Sequence, residues 1–347
     1  MLAGVAIAAL ALAGCSSKGG DTDPSASAGT GLAALSGELK ASGASFPNTY
    51  YQEAILALKD EAPNFKVTYN SVGSGTGKKE FGSGLTDFAG SDSTVKDTDG
   101  VPADTFLYVP TVAAPITVSY NLKGVDNLQL SADTLAKIFQ RDIKVWNAPE
   151  IANDNPGVTL PATNISVAHR SDGSGTTNNF TKYLAAAAPT AWKLGSGDTV
   201  AWPADTQGGA KNTGVAQLIQ AADGGIGYVD LADATDIKLT FAAIKNKDGK
   251  FVKPTLEAAT AALAGAEVKD DLTFNPLNAA GADSYPITAP TYLLVKKTYT
   301  DAKQKELVKA FVTYLLKDTK DLANELHYAT LPAELQTKAL AQLDKIS

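Results

Sequence analysis

SVGSGTGKKE, residues 71–80, and HRSDGSGTTNNF, residues 169–180, share the tetrapeptide Gly-Ser-Gly-Thr at 73–76 and 173–176. Each copy stands where a β-like run gives way to a helical pattern, so the chain carries the same strand–loop–helix step twice, about a hundred residues apart. The lysines after the first copy invite comparison with a nucleotide-binding P-loop. That motif requires glycine five residues before Gly77, and Val72 stands there. The residue after Lys78 is Lys79, which offers no hydroxyl to magnesium. A hydrolase elbow around Ser174 fails in the same way, because Asp172 occupies a position that needs glycine. Ser/Gly loops are also frequently plain turns.

Around these loops, short apolar strands alternate with amphipathic helices, which predicts an α/β fold. ELKAS (38–42) reads as a strand and Thr49–Glu61 as a helix with Tyr50, Ala54, Ile55 and Leu58 on one face. Strands are expected at Phe65–Asn70, around Phe88, at Asn164–Ala168 and at Gly225–Asp230. Helices are expected through Lys79–Phe81 and near 132–140, 176–188, 214–222, 301–316 and 333–346. Two long β-like runs, 112–121 and 285–297, read as strands crossing between two halves.

The chain has 347 residues, 44% of them hydrophobic, enough for two domains around a large core. Its formal charge of −7 speaks against nucleic-acid binding, which needs a basic face. With two histidines and one cysteine, a structural zinc site is not expected, and an intrachain disulfide is impossible. Residues 1–14 are almost wholly apolar and too short to span a bilayer; they read as the apolar region of a secretory signal. The run ends in Leu12-Ala13-Gly14-Cys15, which resembles the bacterial lipobox, so Cys15 is the expected lipidation site and first mature residue. Residues 15–36, rich in Ser, Gly, Thr, Ala and Asp, read as a flexible tether.

The second loop gathers Arg170, Asp172, Ser174, Gly175 and Thr176 at the start of a helix. Unpaired N–H groups and the positive dipole end suit an oxyanion there. Serine and threonine add hydroxyl donors, and arginine adds a planar charged one. Asp172 is placed to hold and partly neutralise Arg170. Ser74 repeats the arrangement from the other half. Asp92, in FAGSDS, is the exception, because a carboxylate beside an anion repels it unless the ligand brings a proton to donate. Hydrogen phosphate has that proton and sulfate does not, so Asp92 would discriminate against sulfate.

GASFP (43–47), VGSGTGKKEF (72–81), DFAGSD (87–92) and HRSDGSGTTNNFTKYL (169–184), in this order, resemble the phosphate-binding protein family of the bacterial ABC-type phosphate uptake system (PstS-like) over roughly residues 37–347. The resemblance implies a two-lobed periplasmic-binding-protein fold of type II, with hinge strands and a ligand cleft. Lobe 1 would comprise 37–115 plus 288–347 and lobe 2 residues 116–287. Implied phosphate contacts are Ser45, Phe46, Ser74, Asp92, Arg170, Ser174, Gly175 and Thr176, with Asp172 steadying Arg170. The implied protein is a lipid-anchored extracytoplasmic monomer. It would bind phosphate with high affinity and deliver it to the permease and ATPase subunits of an ABC transporter, with no cofactor, catalytic residue or metal. A binding protein for another tetrahedral oxyanion and a secreted phosphatase are the competing readings.

Overall fold

The computed structural model describes residues 31–347. The signal segment, Cys15 and the tether through residue 30 lie outside the described residues. A short 3-10 turn at Gly31–Ala34 leads into the first strand at Gly37.

The main sheet runs, in spatial order, through strands 65–71, 37–43, 88–91, 288–296, 106–121, 225–230, 166–170 and 207–209. The first three are mutually parallel in pairing, and so are the last three. Between these two parallel groups lie the antiparallel strands Thr288–Lys296 and Phe106–Asn121. Phe106–Asn121 is buried on both faces along almost its whole length, as a continuous apolar run requires. It pairs with Thr288–Lys296 as far as Pro115 and with Gly225–Asp230 from Ile116 onward. The Ile116 N–H donates to the Ile287 carbonyl at 2.8 Å, so the point where Phe106–Asn121 changes partners lies beside the segment that enters strand 288–296. The mixed α/β chain, in which Phe106–Asn121 pairs into both parallel groups and Thr288–Lys296 into the first alone, has the two-lobed architecture expected from the sequence, with one of the two expected crossing strands spanning both halves.

Local chemistry accounts for the elements flanking the cleft. In Phe65–Ser71 the residues Phe65, Val67 and Tyr69 point inward and the polar residues outward. The helix Asn48–Glu61 buries Tyr50, Tyr51, Ala54, Ile55 and Leu58, one stripe at helical spacing. Gly175–Ala187 is capped by Ser174, whose Oγ accepts from the Thr177 N–H at 3.1 Å.

Boundaries differ from expectation in places. The strand expected at 164–168 is Ser166–Arg170, because Asn164 and Ile165 are drawn aside to pair with Val145 and Lys144. The last helix stops at Gln342 and ends in a 3-10 turn. A helix at Leu256–Ala264, capped by the Thr255 hydroxyl, was not anticipated. Among the described residues no helix is long and apolar enough to cross a membrane.

Candidate functional site

Every parallel strand ends at the same cleft. Ser45 follows strand 37–43, Ser74 follows 65–71 and Asp92 follows 88–91. From the other half, Arg170 and its loop end strand 166–170, Asn212 follows 207–209, and Asp230 ends 225–230. All of these strands but 88–91 hand over to an α-helix N-terminus, and such carboxyl ends are where open α/β sheets gather ligand groups.

The two Gly-Ser-Gly-Thr loops touch. The Gly75 N–H donates to the Gly173 carbonyl at 3.0 Å. Ser74 Oγ lies 3.2 Å from both the Gly175 N–H and the Asp92 N–H, so donors from the two halves converge on one oxygen. Gly73 adopts φ +86°, and a Cβ there would come within 2.4 Å of an Asp172 carboxylate oxygen and 2.6 Å of the Gly173 carbonyl. A side chain at Gly175 would collide with Asp92 and with the Ser74 hydroxyl, each 2.6 Å away. Glycine at these two positions lets the loops approach backbone to backbone.

Arg170 is buried, and its guanidinium grips Asp172 through two parallel hydrogen bonds, from Nε and Nη2. Its Nη1 faces Thr176 Oγ1 at 3.5 Å and Asn212 Oδ1 at 3.4 Å. Burial alone would raise the Asp172 carboxyl, but hydrogen bonding to Arg170 and its charge outweigh burial and hold it below the usual range. Asn212 also reaches Thr176 through Nδ2, and its N–H donates to Ser45 Oγ at 3.3 Å, bringing Ser45 against the second half. Phe46 is locked by an edge-to-face contact with Tyr328 and by the Tyr328 hydroxyl donating to its carbonyl at 2.7 Å. Ser174 is fully buried; its N–H is taken by the Asp198 carbonyl, so its hydroxyl hydrogen is the donor left to it.

Asp92 is 2% exposed. Thr291 donates to its Oδ1 at 2.7 Å, and Asn179 donates to its carbonyl. Thr291 sits where strands 288–296 and 106–121 slip register, and such an irregularity re-aims a side chain. Burial pushes the Asp92 carboxyl up to about 7, against the opposing pull of the Thr291 hydrogen bond and the Arg170 charge. Beside Asp92 and Asn179 opens a cavity of about 530 Å³ that also meets Lys182 and Lys269.

The structure therefore brings Ser45, Phe46, Ser74, Asp92, Arg170, Ser174, Gly175, Thr176 and Asp172 to one cleft, whereas Cys15 lies outside the described residues. Sequence reasoning missed Asn212 and Thr291. Their only signals are an Asn at the start of a helix after paired glycines and a hydroxyl within an apolar strand. It also set Lys78 aside with the failed P-loop comparison, yet Lys78 is fully buried and ion-paired to Asp99 and Asp198 at 2.8 Å each.

A family model described as a PBP superfamily domain matches residues 28–319. The phosphate-binding protein PstS of Xylella fastidiosa strain 9a5c is 35% identical over 327 residues, covering 93% of this chain and 88% of that protein. The phosphate-binding protein PstS of Pasteurella multocida is 37% identical over 309 residues, covering 86% and 88%. Among solved structures, the high-affinity periplasmic phosphate-binding protein PfluDING, bound with phosphate, superposes with a TM-score of 0.72 at 23% identity, covering 88% of this chain and 93% of that one. A phosphate-binding protein from Stenotrophomonas maltophilia gives 0.68 at 22% identity, covering 88% and 94%.

Proposed function

The chain belongs to the PstS family of phosphate-binding proteins within the PBP superfamily, and on that premise we propose that it captures inorganic phosphate with high affinity between its lobes and delivers it to an ABC-type phosphate permease. The observation that carries this is the convergence of donors from both halves around one buried acceptor. The Ser74 hydroxyl, the Gly175 N–H, the Thr176 hydroxyl and the Arg170 guanidinium gather beside Asp92. Donors hold the oxyanion, and the single acceptor selects an anion that carries a proton.

We assign Ser45, Phe46, Ser74, Ser174, Gly175 and Thr176 as neutral donors from hydroxyl and backbone, Arg170 as the charged donor, and Asp92 as acceptor of the phosphate proton. Asp172 positions Arg170 and offsets part of its charge. Residues 37–115 with 288–347 form lobe 1 in this reading and 116–287 lobe 2. The partner change at Ile116 and Ile287 is the natural hinge. We further propose that Cys15 is lipidated after removal of residues 1–14, that residues 15–36 tether the protein to the outer face of the cell membrane, and that it works there as a non-enzymatic monomer with the permease and ATPase subunits.

Isothermal titration of the mature protein tests the central reading. Tight one-to-one uptake of phosphate that survives a large excess of sulfate is the expected result; equal displacement by sulfate would favour a general oxyanion binder.

A further inference from the structure

Lys78 follows the first Gly-Ser-Gly-Thr loop in the helix Ser74–Gly82, and its ammonium is shut from solvent. Its Nζ reaches Asp99 Oδ2 and Asp198 Oδ2 at 2.8 Å each and Ser93 Oγ at 3.1 Å, which satisfies all three protons. Asp99 and Ser93 come from the same half of the molecule as Lys78, whereas Asp198 comes from the loop beyond the helix Gly175–Ala187 in the other half. Asp198 is a junction. Its Oδ2 also accepts from Ser93 Oγ at 3.1 Å, the residue next to Asp92. Its Oδ1 accepts from Asn178 Nδ2 at 2.7 Å, and its carbonyl takes the Ser174 N–H at 2.9 Å.

We propose that Lys78 and Asp198 form a retention latch: positioning residues that bridge the lobes when they close, fix the Ser174 turn opposite Ser74, and so govern how fast the bound anion leaves. The proposal rests on the phosphate reading of the cleft. Two features separate a latch from a merely structural ion pair. Each member keeps a partner of its own lobe, Asp99 for Lys78 and Asn178 for Asp198, so neither is left without a hydrogen-bonding partner when the lobes part. The bond that crosses the lobes spans 120 residues of sequence and joins the element behind one anion loop to the element behind the other. Parting the lobes would break this bond and leave the pairing within each lobe in place.

Breaking one member of a desolvated pair chiefly accelerates dissociation. Stopped-flow release of phosphate from the mature protein, carried out on wild type, Asp198→Asn, Lys78→Met and the double variant, reads this out alongside the thermal midpoint without phosphate. Asp198→Asn is expected to speed release by about tenfold or more, with association changed less than about twofold and the phosphate-free midpoint nearly unmoved. The double variant is expected to release phosphate no faster than the quicker single variant, because both remove the same bond. Wild-type release rates in Asp198→Asn, or single effects that simply multiply, overturn the latch. Should Lys78→Met fail to fold, Asp198→Asn decides alone, since it retains the Asn178 side of the junction. Wild-type protein that takes up no phosphate overturns the binding reading and the latch with it, whereas uptake with unchanged release in Asp198→Asn overturns the latch only.

Discussion

The Gly175 N–H and the Ser74 Oγ lie 3.2 Å apart, although the two residues start helices in opposite halves of the molecule. No Cβ fits between them, because one built on Gly175 would lie 2.6 Å from both Asp92 and the Ser74 hydroxyl. Gly175→Ala should therefore hold the lobes apart while leaving each lobe intact. The expected outcome is a loss of phosphate affinity of about tenfold or more, with a phosphate-free thermal midpoint close to wild type, measured by calorimetry and thermal denaturation. A large fall in the phosphate-free midpoint would show that the clash damages the second lobe itself.

Asp92 offers its carboxylate in the one place where an anion is expected to bind, and that is a basis for selectivity. At alkaline pH it can only accept, so sulfate, which has no proton to give, meets repulsion. Asn at this position brings an amide donor. Asp92→Asn should bind phosphate more weakly and sulfate more strongly, narrowing the ratio of their dissociation constants by about tenfold or more, each hydrogen bond to a charged group being worth about 1.5–3 kcal/mol. Since burial sets the Asp92 carboxyl near 7, wild-type discrimination should also weaken from pH 8 to pH 5, as Asp92 acquires a proton of its own to donate. Competition titrations across that range decide it; discrimination that is flat with pH and unchanged in the variant would show that Asp92 does not read the proton.

The same carboxyl links stability to pH. In the unfolded chain it titrates near 4, in the folded one at about 7. Between these values the folded state holds a proton that the unfolded state has lost, so this contribution falls as pH rises through the window and is constant above it. Asp233, raised to about 6 by burial, and Asp230, raised by burial and by the Asp233 charge, act in the same direction. His169, lowered by burial, acts the other way below the ordinary imidazole range, and Asp172, held low by Arg170, acts only below the ordinary carboxylate range. Comparing wild type with Asp92→Asn isolates the one group. Without phosphate, the stability of wild type relative to the variant should drop by on the order of 4 kcal/mol from pH 4 to pH 8, measured by urea denaturation. A constant difference would mean that Asp92 titrates normally.

The α/β class and the two paired anion loops were legible, though not their direct contact, because strand–loop–helix steps leave local marks: β-branched runs, Ser/Gly turns, and apolar residues at helical spacing. Ser45, Ser74, Asp92 and the Arg170–Thr176 cluster stand in such loops. Thr291 and Asn212 do not announce themselves, because what gives them a place is distance in sequence: Thr291 meets Asp92 across 199 residues, and Asn212 meets Ser45 across 167. Lys78 stands out in the sequence only through its partial likeness to a nucleotide motif. Its burial depends on Asp99 and Asp198 arriving from elsewhere, which no local spacing encodes. The strand at Ser166–Arg170 was misplaced by two residues for a related reason: Ile165 has the right side chain for a strand, but its N–H bonds to Lys144 outside the sheet.

Arg170 tests how much of the anion grip is shape rather than charge. Its Nε and Nη2 are spent on Asp172, which leaves Nη1, beside Thr176 and Asn212, in a fixed direction. Lysine keeps the positive charge but cannot make the paired contact to Asp172 or hold one donor still. Arg170→Lys should weaken phosphate binding by about 1.5–3 kcal/mol, roughly ten- to a hundredfold in Kd, while net charge stays the same. Raising salt should then reduce affinity in wild type and variant by similar factors, since screening acts on charge and not on geometry. Calorimetry at two ionic strengths separates the terms: a variant with wild-type affinity at low salt would mean that Arg170 serves phosphate as a point charge and that its clamp on Asp172 is dispensable.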